Sequence, residues 1–153
     1  MEAKTILAAK GTSVSYVKPD TSISEAVELM HEKKIGSVLV MENEDDQVRG
    51  ILTEHDIIRI VAEKSCMALQ GTIADVMTRD VVACTSDCTL DSIILGMTKF
   101  NVQHMPVYKD DRLLGMISVR DVMRYRIQQL ESGIEPPRFH RWFAKGKVYP
   151  LNK

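Results

Sequence analysis

Cysteine is scarce: Cys66, Cys84 and Cys88 are all that 153 residues hold. An odd three cannot build a disulfide framework. A chain of this length buries roughly 68–70% of its unfolded surface, so folding calls for neither disulfides nor a structural metal. Cys84 and Cys88 lie four apart, which leaves a redox pair open. Free cysteine is more often a small buried hydrophobe. His31, His55, His104 and His140 show no ligand spacing with each other or with cysteine, so no metal site is expected. Long apolar runs are lacking too. None exceeds about five residues, against the ~20 that span a bilayer, and no membrane span is expected. The opening Met1-Glu2-Ala3-Lys4 places an acid where a secretory leader is positive, and no long apolar segment follows; a cytoplasmic protein is expected. Charge of one sign is also missing. Twenty Lys and Arg face 21 Asp and Glu, for a net charge of −1, so no global basic field invites nucleic acid.

What the chain does have is a repeat. The 44% apolar and 27% charged fractions are those of a globular domain. A shift of 67 residues lays Thr5-Ile6 on Thr72-Ile73, Val14 on Val81, Asp20 on Asp87, Met30 on Met97 and Val40 on Val107. Past the acidic turn Glu42-Asn43-Glu44-Asp45-Asp46 the shift becomes 65. Gly50 then lies on Gly115, Asp56 on Asp121 and Arg59 on Arg124.

The hydrophobic pattern repeats as well. Ile23, Ala26, Val27 and Met30 in one copy, and Leu90, Ile93, Ile94 and Met97 in the other, occupy i, i+3, i+4, i+7, one face of a helix. Ser22 and Glu25 form a capping-box pattern at the first helix, and Thr89 stands at the start of the second. Short strands are expected at 14–17 and 81–84. Hairpins are expected from 37–41 with 48–52, and from 105–108 with 113–117 through Lys109-Asp110-Asp111. Second helices follow over 54–64 and 119–132. The fold class is α+β, a β-α-β-β-α unit used twice. Repeat one is 4–64, the linker 65–71, repeat two 72–132 and a tail 133–153. Val17, Ile23, Val27, Met30, Ile94 and Met97 are expected in the core, and the nine methionines are packing. Two units of about 60 residues are each marginal alone, so they are expected to pack face to face. That arrangement creates two clefts, which favour ligands. Helix residues Ile57, Ile58, Ile60 and Val61 offer more apolar surface than one interface needs, and a homodimer is expected.

Each hairpin runs into its helix through a T/S-x-x-D pattern: Gly50-Ile51-Leu52-Thr53-Glu54-His55-Asp56, and Gly115-Met116-Ile117-Ser118-Val119-Arg120-Asp121. One reading is a helix cap, with Thr53 or Ser118 as N-cap and the acid three residues on. The other is a ligand site. A helix N-terminus offers free N–H groups to an anion, the hydroxyl adds a bond to phosphate, and the carboxylate accepts from a vicinal diol. The combination suits a ribose phosphate, and one side chain can serve both purposes. Arg120 offers a planar fork to phosphate; His55 is weaker, and is better read as a solvated loop residue. No nucleophile with a base, paired catalytic acids or metal cluster stands out, so no enzyme is expected.

These stretches together resemble the CBS-domain family, specifically a stand-alone tandem CBS pair, or Bateman module. The matching segments begin at Ser22 (SISEAVELM), Ile35 (IGSVLV), Gly50 (GILTEHDII), Met77 (MTRDVV), Val102 (VQHMPV) and Gly115 (GMISVRDVM). The resemblance covers roughly residues 4–132. One departure is Val38-Leu39 where the other copy has the more typical Met105-Pro106. The resemblance implies a pseudo-symmetric module that often pairs into flat discs. It also implies a regulatory ligand carrying adenosine: AMP, ADP, ATP, NAD or S-adenosylmethionine, and hence an energy or redox-state sensor acting on an unknown effector protein. Carried over residue by residue, one site would use Asp121 for ribose, Ser118 and Arg120 toward phosphate, and Met116, Ser15, Ile35 and Gly36 around adenine. The other would use Asp56, Thr53, His55 and Ile51, with Val82, Val102 and Gln103.

The tail differs in character. Residues 134–153 carry Arg138, Arg141, Lys145, Lys147 and Lys153 against Glu135, with Phe139, Trp142, Phe143 and Tyr149 among them. Basic residues among aromatics suit RNA, an anionic membrane or a protein partner, so an adaptor acting through the tail is the alternative function. The preferred expectation is that these aromatics fold back on the module or across a dimer, with no nucleic acid bound.

Overall fold

The computed structural model describes residues 1–43 and 47–131. The tail, and with it the adaptor reading, lies outside the described residues, as do Glu44, Asp45 and Asp46 of the acidic turn and Ser132 at the end of the last expected helix.

The two repeats form two three-stranded sheets. In the first, β1 (Tyr16–Val17) pairs parallel with β2 (Ser37–Val40), and β2 pairs antiparallel with β3 (Gly50–Thr53). In the second, β4 (Cys84–Thr85) pairs parallel with β5 (His104–Lys109), and β5 antiparallel with β6 (Arg112–Ser118). The expected strands at 14–17 and 81–84 shrink to two residues each, the second displaced toward the helix. Val48 also stands outside its strand and packs beside the central cluster instead. The β5–β6 turn is the two-residue type, with Asp110 and Asp111 at φ 48° and 61°. That left-handed pair matches the twist of the flanking strands.

Helices α2 (Ile23–Lys33) and α4 (Leu90–Phe100) connect the parallel strands. Ser22 accepts from the Glu25 N–H at 3.2 Å, and the Ser22 N–H donates to Glu25 at 3.0 Å, closing the capping box. Thr89 accepts from the Ser92 N–H at the same place on α4. Both helices end on a left-handed residue at equivalent positions, Lys34 and Asn101. Val17, Ile23, Met30 and Met97 are buried as expected. Val27 and Ile94 are only partly buried, because Ala26 and Ile93 take the centre of the stripe and leave them at its edge. Helices α3 (Glu54–Lys64) and α5 (Val119–Glu131) follow the hairpins. Ile60 faces the core and is not part of an outer apolar face, and Ile57 is partly buried; Ile58 and Val61 are exposed.

One helix was not foreseen. α1 (Ala3–Lys10) opens the first repeat and stops at Gly11, whose φ of 96° suits glycine. Its buried residues Ala3, Ile6 and Leu7 lie at i, i+3, i+4 and join the core of the second repeat. The start of the second repeat does the converse: Ile73 and Met77 join the core of the first repeat. Each fully buried isoleucine contributes about 1.5–3 kcal/mol, so the exchange ties the repeats together. A third cluster lies between them, where Leu39, Met41 and Ile51 of the first repeat meet Val81, Leu113 and Met116 of the second. This is the face-to-face packing the repeat implied. Cys84 and Cys88 pack against the second core. Burial first, then the neighbouring Cys88, pushes the Cys84 thiol up to about 12, which keeps it a protonated, weakly nucleophilic group. Among the described residues no helix is long and apolar enough to cross a membrane.

Candidate functional site

Both T/S-x-x-D patterns cap their helices. At α5 the Asp121 N–H donates to Ser118 Oγ at 3.3 Å, while Ser118 returns its N–H and O–H to Asp121 Oδ2 at 2.9 and 2.7 Å. At α3 the Asp56 N–H donates to Thr53 Oγ1 at 3.2 Å, and Thr53 returns N–H and O–H to Asp56 Oδ2 at 3.0 and 2.7 Å. Both carboxylates are buried. The cap reading is therefore realised twice, and it holds each carboxylate in a fixed orientation.

The two positions then diverge. Asp56 has both oxygens occupied. Its Oδ1 accepts from Arg59 at 3.2 Å and sits 3.5 Å from the Thr78 hydroxyl. Thr78 also bridges Ile51 through two backbone bonds of 2.9 and 3.0 Å, drawing the start of the second repeat across that strand. At Asp121 every hydrogen bond from described residues falls on Oδ2, including one of 2.6 Å from the Lys10 ammonium. Among the described residues no buried side-chain nitrogen or oxygen lacks a partner, so Oδ1 is left to solvent.

Asp121 lines a cavity of about 400 Å³ between the repeats, within the range of small-molecule sites. The second repeat contributes Met116, Ser118, Arg120 and Asp121; the first contributes Ser15, Ile35 and Gly36. These are the seven residues expected at one site, brought together from opposite repeats. A side chain at Gly36 would meet Glu54 and His104 at 3.3 Å, so glycine keeps that wall open. Of the residues expected at the other site, Gln103 lines this same cavity. Val82 and Val102 are partly buried against the second core, Ile51 is in the central cluster, and His55 is exposed.

The cavity is cationic. Lys10, Lys34, Arg120 and Arg124 face Glu54 and Asp121. Burial alone would raise the Asp121 pKa, but the hydrogen bonds from Lys10 and Ser118 outweigh it and hold the carboxyl below its usual range. Burial pushes His104 down; Glu54 and Asp121 oppose that, while Lys10 and Arg120 reinforce it. The neutral imidazole is thus favoured in the cavity lining.

Lys10, Lys34, Arg124 and His104 did not emerge from the motifs. Arg124 had a signal, since it lies four residues past Arg120 on one helix face. Lys34 had none, since the left-handed turn that ends α2 at this residue is visible only in the structure. Lys10 had none, because its helix belongs by sequence to the other repeat.

The CBS domain model matches residues 11–63 and 73–128. A CBS-domain containing protein from Agrobacterium tumefaciens superposes with a TM-score of 0.79 at 38% identity, covering 82% of this chain and 99% of that one. The CBS domain pair of protein MJ0100, solved in complex with 5′-methylthioadenosine and S-adenosyl-L-methionine, superposes with a TM-score of 0.68 at 25% identity, covering 82% and 99%. The inosine-5′-monophosphate dehydrogenase of Methanocaldococcus jannaschii is 32% identical over 114 residues, which is 74% of this chain but 22% of the dehydrogenase. The match therefore spans about a fifth of that enzyme. Two matched copies, each built as strand, helix, hairpin and helix around a shared cavity, establish that the chain belongs to the CBS-domain family as a tandem pair.

Proposed function

We propose that the chain is a regulatory module that binds an adenosine-containing ligand in the Asp121 cavity and catalyses no reaction of its own. The observation that carries this reading is the state of Asp121: oriented by its cap, ionised, and with Oδ1 left to solvent beside a cleft of ligand size. A ribose diol can donate to that oxygen. Ser118, Arg120 and the N-terminus of α5 then face the phosphates, and Ser15, Ile35, Gly36 and Met116 surround adenine. The complex of the MJ0100 pair with two adenosine derivatives supports the ligand class. A second position at Asp56, with Thr53, His55, Ile51, Val82 and Val102, is subordinate, because Asp56 must first release Arg59. The module works as a homodimer through exposed apolar helix faces, and reports energy or redox state to an effector protein through the nucleotide it holds.

Native mass spectrometry of the freshly purified protein tests this reading. An adenosine-containing adduct, or one formed on adding AMP, ADP, ATP, NAD or S-adenosylmethionine, is the expected result. No adduct in either case would overturn it.

A further inference from the structure

Lys10 is the last residue of α1, which belongs to the first repeat by sequence and packs on the second. Its ammonium reaches Asp121 Oδ2 at 2.6 Å, with the two side chains 26% and 12% exposed. The same oxygen already accepts two hydrogen bonds from Ser118. The helix is anchored: a side chain added at Gly115 would meet Leu7 at 2.9 Å, so α1 and β6 are in close contact and Lys10 is delivered to a fixed place. The equivalent position of the other copy holds Met77, an apolar residue of the first core. The feature is therefore confined to one site.

We propose that Lys10 determines the charge specificity of the Asp121 site, making it select adenosine ligands that carry phosphate over neutral or cationic ones. This rests on the reading of Asp121 as the ribose anchor. A diol that donates to Oδ1 draws on the same negative charge that Lys10 shares through Oδ2. A half-buried ammonium that loses part of its partner, and gains no other, retains an uncompensated charge. Phosphate supplies the replacement, and charge-assisted bonds of this kind are the strong ones. A nucleoside without phosphate supplies none. A sulfonium brings one more positive charge to a cleft that already holds Lys34, Arg120 and Arg124. The neutral and cationic ligands are penalised by the same group that rewards the anionic one, which is how a site discriminates rather than merely binds.

Isothermal titration of the full chain with AMP, adenosine and S-adenosylmethionine tests the proposal. The wild type is expected to favour AMP over adenosine by at least about tenfold, or about 1.4 kcal/mol. Lys10→Met and Lys10→Gln should shrink that ratio by about tenfold, weakening AMP and strengthening adenosine, while Lys10→Arg preserves it. A wild-type ratio below tenfold needs no variant to overturn the proposal. Equal weakening of all three ligands in the variants overturns it too, and leaves the ribose anchor standing. If the wild type binds none of the three, the proposal falls, and the ribose reading falls with it only if ADP, ATP and NAD also fail to bind.

Discussion

Ile6 and Ile73, equivalent positions of the two repeats, are each buried in the core of the other repeat. Ile6 packs with Leu90, Ile93 and Met97; Ile73 packs with Ile23, Ala26 and Met30; both are fully shielded from solvent. The leading segment of each copy thus completes its neighbour. Truncation of either residue should be felt by the whole module. Ile6→Ala and Ile73→Ala are each expected to lose about 2–5 kcal/mol, in a single cooperative urea transition. A change within about 0.5 kcal/mol at either residue, the size of an ordinary surface substitution, would contradict the exchange.

The two caps should be worth similar amounts of basal stability. Thr53→Ala and Ser118→Ala are each expected to lose about 0.5–2 kcal/mol, measured by denaturation without ligand. A Ser118→Ala variant as stable as the wild type would mean that Ser118 holds no cap.

Acid should weaken the fold in two stages. Below 6.5, the ordinary value for His104, the unfolded chain takes up a proton that the half-buried imidazole resists, so stability falls as pH drops through that window. Asp121 has a folded pKa below its ordinary 3.8, so its contribution is present above 3.8 and is lost as pH falls through the lower folded value. His104→Gln should remove the first stage and leave the second. Urea midpoints that fall as steeply between about pH 7 and pH 5 in His104→Gln as in the wild type would refute this assignment.

The outer face of α5 should hold two copies together. Met123, Ile127 and Leu130 recur at i, i+4, i+7 and are each at least half exposed. Ile58 and Val61 of α3 are exposed as well. Light scattering is expected to give twice the 17.3 kDa chain mass, and Ile127→Glu to return it to a monomer. A wild type that is monomeric at micromolar concentration would contradict the homodimer.

The repeat, its helices and its caps were legible because each is a local pattern. Ser22 and Glu25, or Ser118 and Asp121, are three residues apart and interact within one turn. The second hairpin was legible because apolar runs flank the polar Lys109-Asp110-Asp111, although Lys109 proves to pair with Arg112 and only Asp110-Asp111 turn. The exchange of Ile6 and Ile73 was not, because an apolar stripe states that it will be buried and not against what. The short parallel strands were overdrawn for a related reason: Val14 and Val81 are apolar because they meet the central cluster, not because they pair in a sheet. At the site, the seven residues grouped around Asp121 line one cavity. The residue that distinguishes that position from Asp56, Lys10, acts across 111 residues of chain, and no spacing rule reaches so far.

The most direct test of the account is the ligand-induced shift in melting temperature, with Asp121→Ala and Asp56→Ala compared against the wild type. AMP, ADP, ATP, NAD and S-adenosylmethionine are tried side by side. A ligand at 100-fold its Kd adds about 2.7 kcal/mol, and each kcal/mol raises melting by roughly 2–4 °C at this chain length. The account predicts a clear rise with at least one phosphorylated ligand, its loss in Asp121→Ala, and its survival in Asp56→Ala. No shift with any of the five at millimolar concentration in a ligand-free preparation, or a shift that survives Asp121→Ala unchanged, would contradict it.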